Sequence, residues 1–300
     1  MLKIAWSPIY NHPLPHGHRF PMEKYDLLPK QLLYEGTIHE ENIFKPRILT
    51  ESEILSVHTQ EYWRKLQTLN FTRQEERMSG FPISKELVQR EITINAGTIQ
   101  CVDYALEYGI AMNIAGGTHH AFTNRAEGFC LLNDIAIAAQ YLLDHDKASK
   151  ILVVDLDVHQ GNGTAEIFKK EDRVFTFSMH GEHNYPLQKE ASDLDIPLKD
   201  GTDDKTYLSI LDRTVKRLIN DLEPDFIFFQ SGVDVLATDK LGRLALTTDG
   251  CKSRDRLVIE EAKKNDLPIV ASMGGGYSED IKDILEAHSN TYRLAQEIYY

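Results

Sequence analysis

Lys150-Ile-Leu-Val-Val-Asp155-Leu-Asp157-Val-His159-Gln-Gly161-Asn162-Gly163 opens as an apolar, β-branched run suited to a strand buried on both faces. Two carboxylates and an imidazole then take alternate positions before two glycines break the strand. In extended backbone, residues i, i+2 and i+4 share a face, so Asp155, Asp157 and His159 converge. Carboxylates this close repel unless a proton or cation lies between them, and histidine is the commonest metal-ligand side chain. A divalent metal is the economical reading. A solvated turn whose Asp side chains accept backbone N–H bonds is the alternative.

The same unit recurs outward from this stretch. Residues 110–115 form an apolar run leading into Gly116-Gly-Thr-His119-His120, with a helix expected from about Asn133 to Leu143. The opening motif is followed by a short helix at 163–169, and strand 174–177 leads into Ser178-Met-His-Gly-Glu-His183 and a helix over 203–220. Residues 226–229 lead into Gln230-Ser-Gly-Val-Asp234 and a helix over 248–264; residues 268–272 lead into Met273-Gly-Gly-Gly-Tyr277 and a last helix from Ser278 to near Ile298. This βα alternation predicts one domain over residues 1–300, a three-layer α/β/α fold with a mostly parallel central sheet. His119, His120, Asp155, Asp157, His159, Asp234 and Tyr277 all fall at or just beyond strand carboxyl ends, the edge where open α/β sheets bind ligands.

The first hundred residues are less regular. A first strand is expected at 2–7, then a loop from Pro8 to Pro21 whose His12, His16 and His18 match no metal-ligand spacing and read as loop histidines. Helical spacing covers 22–34, Thr50-Glu-Ser-Glu53 reads as a capping box, and Tyr62 and Trp63 read as packing residues of a third helix. Residues 70–82 are expected to be a surface loop, and 84–107 one long helix ending at Gly109.

The formal charge of −13 argues against a nucleic-acid-binding surface, which requires clustered Lys and Arg. Cys101, Cys130 and Cys251 are an odd, widely spaced set that fits reduced thiols, and no apolar run approaches the roughly 20 residues a bilayer span requires. A cytoplasmic protein with no membrane partner is expected.

A catalytic zinc site takes three protein ligands and keeps a position open. Asp157, His159 and Asp234 are the best three, with Gly232 allowing close approach of the backbone. Such a metal acidifies a bound water and polarises a carbonyl, chemistry suited to hydrolysing an amide or ester. His119 and His120 are the candidate bases, with Asp155 and Asn162 available to fix their tautomers. Tyr277, on its glycine-lined turn, can donate to the developing oxyanion. Phe129 and Tyr185 can line an apolar channel or pack in the core.

GGTHHA (116–121), GFCLLNDIAIA (128–138), DLDVHQGNG (155–163), QSGVDV (230–235) and GGGY (274–277), in this order, resemble the zinc-dependent histone deacetylases and their bacterial relatives. The segments 240–247 and 253–258 look like the class IV branch. Near the N-terminus, His18-Arg-Phe-Pro-Met-Glu-Lys-Tyr25 carries a looser resemblance. The resemblance implies an arginase/deacetylase-like fold and Asp157, His159 and Asp234 as zinc ligands, with Fe²⁺ acceptable to the same donors. It implies His120 as general base and acid, His119 paired with Asp155 as its electrostatic neighbour, and Tyr277 polarising the acyl carbonyl. It implies Phe129 as a wall of the acyl-lysine tunnel, with Gly128, Tyr185 and Gly275 also contacting substrate. A structural potassium ion is implied at the Asp155 side chain, the Ser178 hydroxyl and the carbonyls of Asp157, His159 and Met179, which explains how Asp155 stays ionised beside Asp157. Arg19 matches a basic residue behind the pocket. The implied substrate is an acylated lysine peptide or protein.

Two departures matter. Many members carry Asp where this chain has Asn162, so His120 is expected to be a weaker base here, and Asn162→Asp to move the acidic limb of the pH–rate profile upward. Gly80-Phe-Pro-Ile83 occupies the region where many deacetylases carry an Asp that grips the substrate backbone. The acidic exterior makes acylated polyamines an alternative substrate. A two-manganese arginase-like hydrolase and a non-catalytic acyl-lysine-binding protein are the remaining readings.

Overall fold

The computed structural model describes residues 1–300. Eight strands, β1 (Lys3–Ala5), β2 (Ile43–Phe44), β3 (Ile110–Asn113), β4 (Ile151–Asp155), β5 (Val174–Gly181), β6 (Leu194–Leu198), β7 (Phe226–Gln230) and β8 (Ile269–Ser272), form one sheet in the order β2-β1-β3-β8-β7-β4-β5-β6. Every pairing is parallel, so the sheet is wholly rather than mostly parallel. The helices are α1 (Lys24–Tyr34), α2 (Glu51–Leu55), α3 (Gln60–Thr68), α4 (Arg73–Ser79), α5 (Lys85–Tyr108), α6 (Asp134–Asp144), α7 (Asn162–Phe168), α8 (Asp204–Leu222), α9 (Thr248–Lys264) and α10 (Ile281–Tyr299).

The middle strands β3, β8, β7 and β4 are buried along their whole length, as parallel strands covered on both faces must be. The long α5 packs on β1, β3 and β8 with α6 beside it, while α1, α10, α9 and α8 pack one on the next to form the other layer. No helix is long and apolar enough to cross a membrane. The three cysteines are free and buried.

Four local readings are corrected. Residues 73–79, expected within a loop, form α4, started by a capping box in which Thr72 accepts from the Glu75 N–H and Glu75 accepts from the Thr72 N–H. The third long strand runs on to Gly181, so Ser178 and Met179 lie within it rather than after it. The edge strands β2 and β6 were not anticipated, one being two residues long and the other half-buried with an internal Pro197. The last helix begins at Ile281, capped by Asp280, three residues after Ser278.

Registration places the site. Asn113, Ser272, Gln230, Asp155 and Ser178 pair in one row across β3, β8, β7, β4 and β5. The loops beyond four adjacent strands in that row carry His119 and His120, Tyr277, Asp234, and Asp157 with His159.

Candidate active site

Asp157, His159 and Asp234 bring one ligand atom each to within 4.8 Å of one another, all three residues buried. His159 Nδ1 lies 3.0 Å from Asp157 Oδ1 and 3.1 Å from Asp234 Oδ2. The backbone tightens the cluster: Gly275 N–H donates to Asp157 Oδ2 at 2.8 Å, and Val158 N–H donates to Asp234 Oδ1 at 3.0 Å. A Cβ at Gly275 would lie 2.0 Å from Asp234 Oδ2, and one at Gly232 would lie 2.4 Å from Asp157 Oδ2, so the carboxylates approach only because these positions are glycine.

The electrostatics favour a positive charge here. Burial drives the Asp234 carboxyl up, and the charge of Asp157 adds to it, placing its pKa at about 7. Burial opposes charge on His159, yet hydrogen bonds and charge from Asp157 and Asp234 outweigh it and lift its pKa to about 10. Two carboxylates around one imidazole favour a proton or a metal cation, and an Asp/His/Asp donor set gathered this closely fits a divalent ion.

His119 Nδ1 sits 2.7 Å from Asp155 Oδ2, and its Nε2 lies 3.9 Å from Asp157 Oδ1. Burial would lower its pKa, but Asp155 and Asp157 outweigh this and raise it. His120 Nδ1 lies 2.6 Å from Asn162 Oδ1, and burial followed by its neighbours His119 and His159 holds its pKa well below the ordinary histidine value. Beyond Asn162 stands a residue that the sequence reading missed. Asn162 Nδ2 donates to Glu127 Oε1 at 2.9 Å, so the Asn162→Asp change would set two carboxylates face to face.

Above these residues opens a cavity of about 320 Å³ whose walls include Phe129, Tyr185, Leu241 and Met78 and whose floor reaches His120, His159 and Tyr277. Burial raises the Tyr277 pKa, so the residue stays a phenol. Phe129 and Tyr185 line this cavity. Gly128 lines it too, but its tighter role is to make room for His120, whose Cδ2 a Cβ there would meet at 2.6 Å. Gly275 lines the inner part of the cavity and also supports the Asp157 and Asp234 carboxylates.

The turn bearing Gly128 and Phe129 has positive φ at both positions, 53° and 68°. It is held by α4, whose last carbonyls, lacking helical partners, accept from it: Gly128 N–H donates to Met78 O at 3.0 Å and Phe129 N–H to Ser79 O at 2.7 Å. Arg19, expected behind the pocket, instead lies exposed at its mouth with its guanidinium 5.0 Å from the Phe129 ring centre. Two buried cations lie inward: Arg90, which lines the inner cavity beside His119, His120 and Tyr277, and Lys24, which donates to Gly274 O at 3.3 Å and is lowered to about 8 by burial. His18 is a structural loop residue: one ring nitrogen lies 2.9 Å from Gly80 O, the other accepts from the Phe20 N–H, and the ring stacks on Phe81. His12 is buried and His16 exposed, and neither joins the metal-ligating cluster.

This arrangement has relatives. The chain is 43% identical over 296 residues to an uncharacterized protein of Picosynechococcus sp., covering 99% of each. It is 30% identical over 271 residues to histone deacetylase 2 of Arabidopsis thaliana, covering 87% of this chain and 70% of the relative. Among solved structures, a histone deacetylase homolog from Aquifex aeolicus superposes with a TM-score of 0.82 at 25% identity, covering 97% of this chain and 82% of that one. A histone deacetylase homolog complexed with SAHA gives the same TM-score and identity, covering 98% of this chain and 82% of that one. With the histone deacetylase domain model matching residues 18–292, the chain belongs to the histone deacetylase family of amide hydrolases.

Proposed function

We propose that the chain is a metal-dependent deacylase that cleaves the amide of an acylated lysine side chain in a peptide or protein. The cavity carries this reading: apolar walls lead from an open mouth to His120, His159 and Tyr277, a shape that accepts an alkyl chain with an amide at its tip. Asp157, His159 and Asp234 would hold Zn²⁺, or Fe²⁺ on the same donors, and the bound ion would polarise the acyl carbonyl and acidify a water.

His120, with Nδ1 donating to Asn162, presents a free Nε2 lone pair, takes the proton of the attacking water and returns it to the leaving amine. Tyr277 donates its hydroxyl to the carbonyl oxygen as that oxygen gains charge. His119, held between Asp155 and Asp157, fixes the charge balance beside the base. The Asp155 carboxylate and Ser178 hydroxyl, at paired positions of β4 and β5, would hold K⁺ with the carbonyls of Asp157, His159 and Met179.

The charge at the mouth favours the peptide over the polyamine. The mouth's carboxylate-free lining carries Arg19 and Arg77, so a polycationic amine meets like charge there despite the chain's net −13. A peptide with acidic residues beside the acyl-lysine meets opposite charge. Zinc-loaded protein should therefore turn over acyl-lysine peptides with acidic flanks faster than those with basic flanks, faster still than acylated polyamines, and lose turnover in His120→Ala. Equal rates for wild type and His120→Ala, or a preference for polyamines, would refute the proposal.

A further inference from the structure

We propose that Glu127 is a positioning residue that sets the tautomer of the base His120 by locking the amide of Asn162. The inference deepens the hydrolytic reading of His120 and rests on it. Asparagine can present either end of its amide to a neighbour, and the two ends do opposite things to an imidazole. With Oδ1 toward His120, Nδ1 must carry the proton and Nε2 keeps its lone pair for the attacking water. With Nδ2 toward His120, Nδ1 must accept, the proton moves to Nε2, and the base is blocked.

Two amide orientations in a buried site differ only through their other partner. Here that partner is a carboxylate, which accepts and cannot donate: Glu127 Oε1 lies 2.9 Å from Asn162 Nδ2. The result is a directed chain, Asn162 Nδ2–H to Glu127 and His120 Nδ1–H to Asn162 Oδ1, with the latter at 2.6 Å. Glu127 is itself fixed. Its N–H and carbonyl pair with Cys130 across the Gly128-Phe129 turn, at 3.0 and 2.9 Å. Its Oε2 accepts from Arg125 Nε at 3.2 Å, and its Oε1 also accepts from the Tyr185 hydroxyl at 2.5 Å. One carboxylate thus holds both the base and the ring of Tyr185, whose centre stands 5.1 Å from that of His120, nearly perpendicular to it.

The arrangement also accounts for Asn162 itself. An Asp at this position would face Glu127 with no donor between them, so the neutral amide and the carboxylate behind it form a matched pair in which either can change only with the other. Aspartate at 162 would require a donor at 127, which glutamine supplies.

The test compares Glu127→Ala, Asn162→Asp and the double variant Glu127→Gln/Asn162→Asp with wild type. The first readout is the His120 ring, its nitrogens assigned by ¹⁵N NMR without substrate. Wild type should show a protonated Nδ1, and Glu127→Ala should show Nε2–H appearing. The second is turnover of an acetyl-lysine peptide by zinc-loaded protein: each single variant should lose roughly 10- to 100-fold in kcat with little change in KM, and the double variant should recover most of it. An unchanged tautomer in Glu127→Ala, or a double variant no better than the poorer single one, would overturn the proposal. The NMR readout needs no turnover, so a protein that hydrolyses no acyl-lysine yet shows the tautomer switch would refute the proposed function and leave this inference standing.

Discussion

Asp134 and Thr118 hold each other through three hydrogen bonds: Thr118 donates from N and Oγ1 to Asp134 Oδ1 at 2.8 and 2.7 Å, and Thr118 Oγ1 accepts from Asp134 N at 3.0 Å. The other carboxylate oxygen accepts from Thr98 and Ser272, and a Cβ at Gly116 would strike it at 2.3 Å. The loop carrying His119 and His120 is thereby pinned to the first turn of α6, where a carboxylate is also favoured by the helix dipole. Asp134→Ala leaves the Thr118 N–H buried without a partner. It should lower stability by about 2–4 kcal/mol in urea unfolding and reduce kcat by roughly 10- to 100-fold.

The glycine at 275 makes a sharper claim about the metal. Its Cβ would overlap an Asp234 oxygen, and its N–H supports Asp157, so Gly275→Ala disturbs two donors at once. Zinc affinity, measured by competition with a chromophoric chelator, should fall by roughly 10- to 100-fold. The metal-free melting temperature should move far less than the zinc-dependent increment. An affinity equal to that of wild type would remove Asp157 and Asp234 from the ligand set.

The middle of the sheet and the donors at its edge were legible because both follow simple periods. Buried parallel strands such as β4 and β7 are unbroken apolar runs, and the alternation Asp155, Asp157, His159 follows from extended geometry. The α4 helix carried a readable signal, Thr72-x-x-Glu75, outweighed by the polarity of the whole segment. Glu127 had none, because its meaning lies in contacts 35 and 58 positions away that only the folded chain brings together; Asp134, though inside the 128–138 motif, gave no sign of its contacts with Thr118 and Ser272, 16 and 138 positions away. Arg19 was misplaced for the same reason, its neighbour Lys24 being the one that turns inward.

Arg254 is another such residue. Wholly buried on α9, its guanidinium donates to the carbonyls of Leu156, Ser231 and Gly232 and pairs with Asp255 at 2.7 Å, tying together the two loops that bear Asp157 and Asp234. Arg254→Met leaves three carbonyls and one carboxylate without their cation. A loss of about 3–5 kcal/mol is expected in denaturant unfolding. Adding Asp255→Asn should recover part of it, since the stranded charge disappears while the Thr291 hydroxyl still finds an acceptor. Strict additivity of the two changes would show that the pair does not act as a unit.

The stability of the protein should fall in mild acid for a reason remote from the metal. His58 is buried with Nδ1 lying 2.9 Å from Phe122 O, while Nε2 accepts from the Asn133 N–H at 3.0 Å, so the ring is held neutral at the N-cap of α6. Burial lowers its pKa from 6.5 to about 4. Between those values the unfolded chain binds a proton that the folded chain refuses, so stability rises with pH: the contribution is complete above about 6.5 and is lost as pH falls toward 4. This one group should account for a slope of up to ~1.4 kcal/mol per pH unit in that window. His58→Gln keeps a donor for Phe122 and an acceptor for Asn133 but does not titrate. Its unfolding free energy should therefore decline less than wild type between about pH 6.5 and 4.5, by ~1–3 kcal/mol over the interval. Parallel pH profiles for the two proteins would mean that His58 is protonated in the fold as readily as in the unfolded chain.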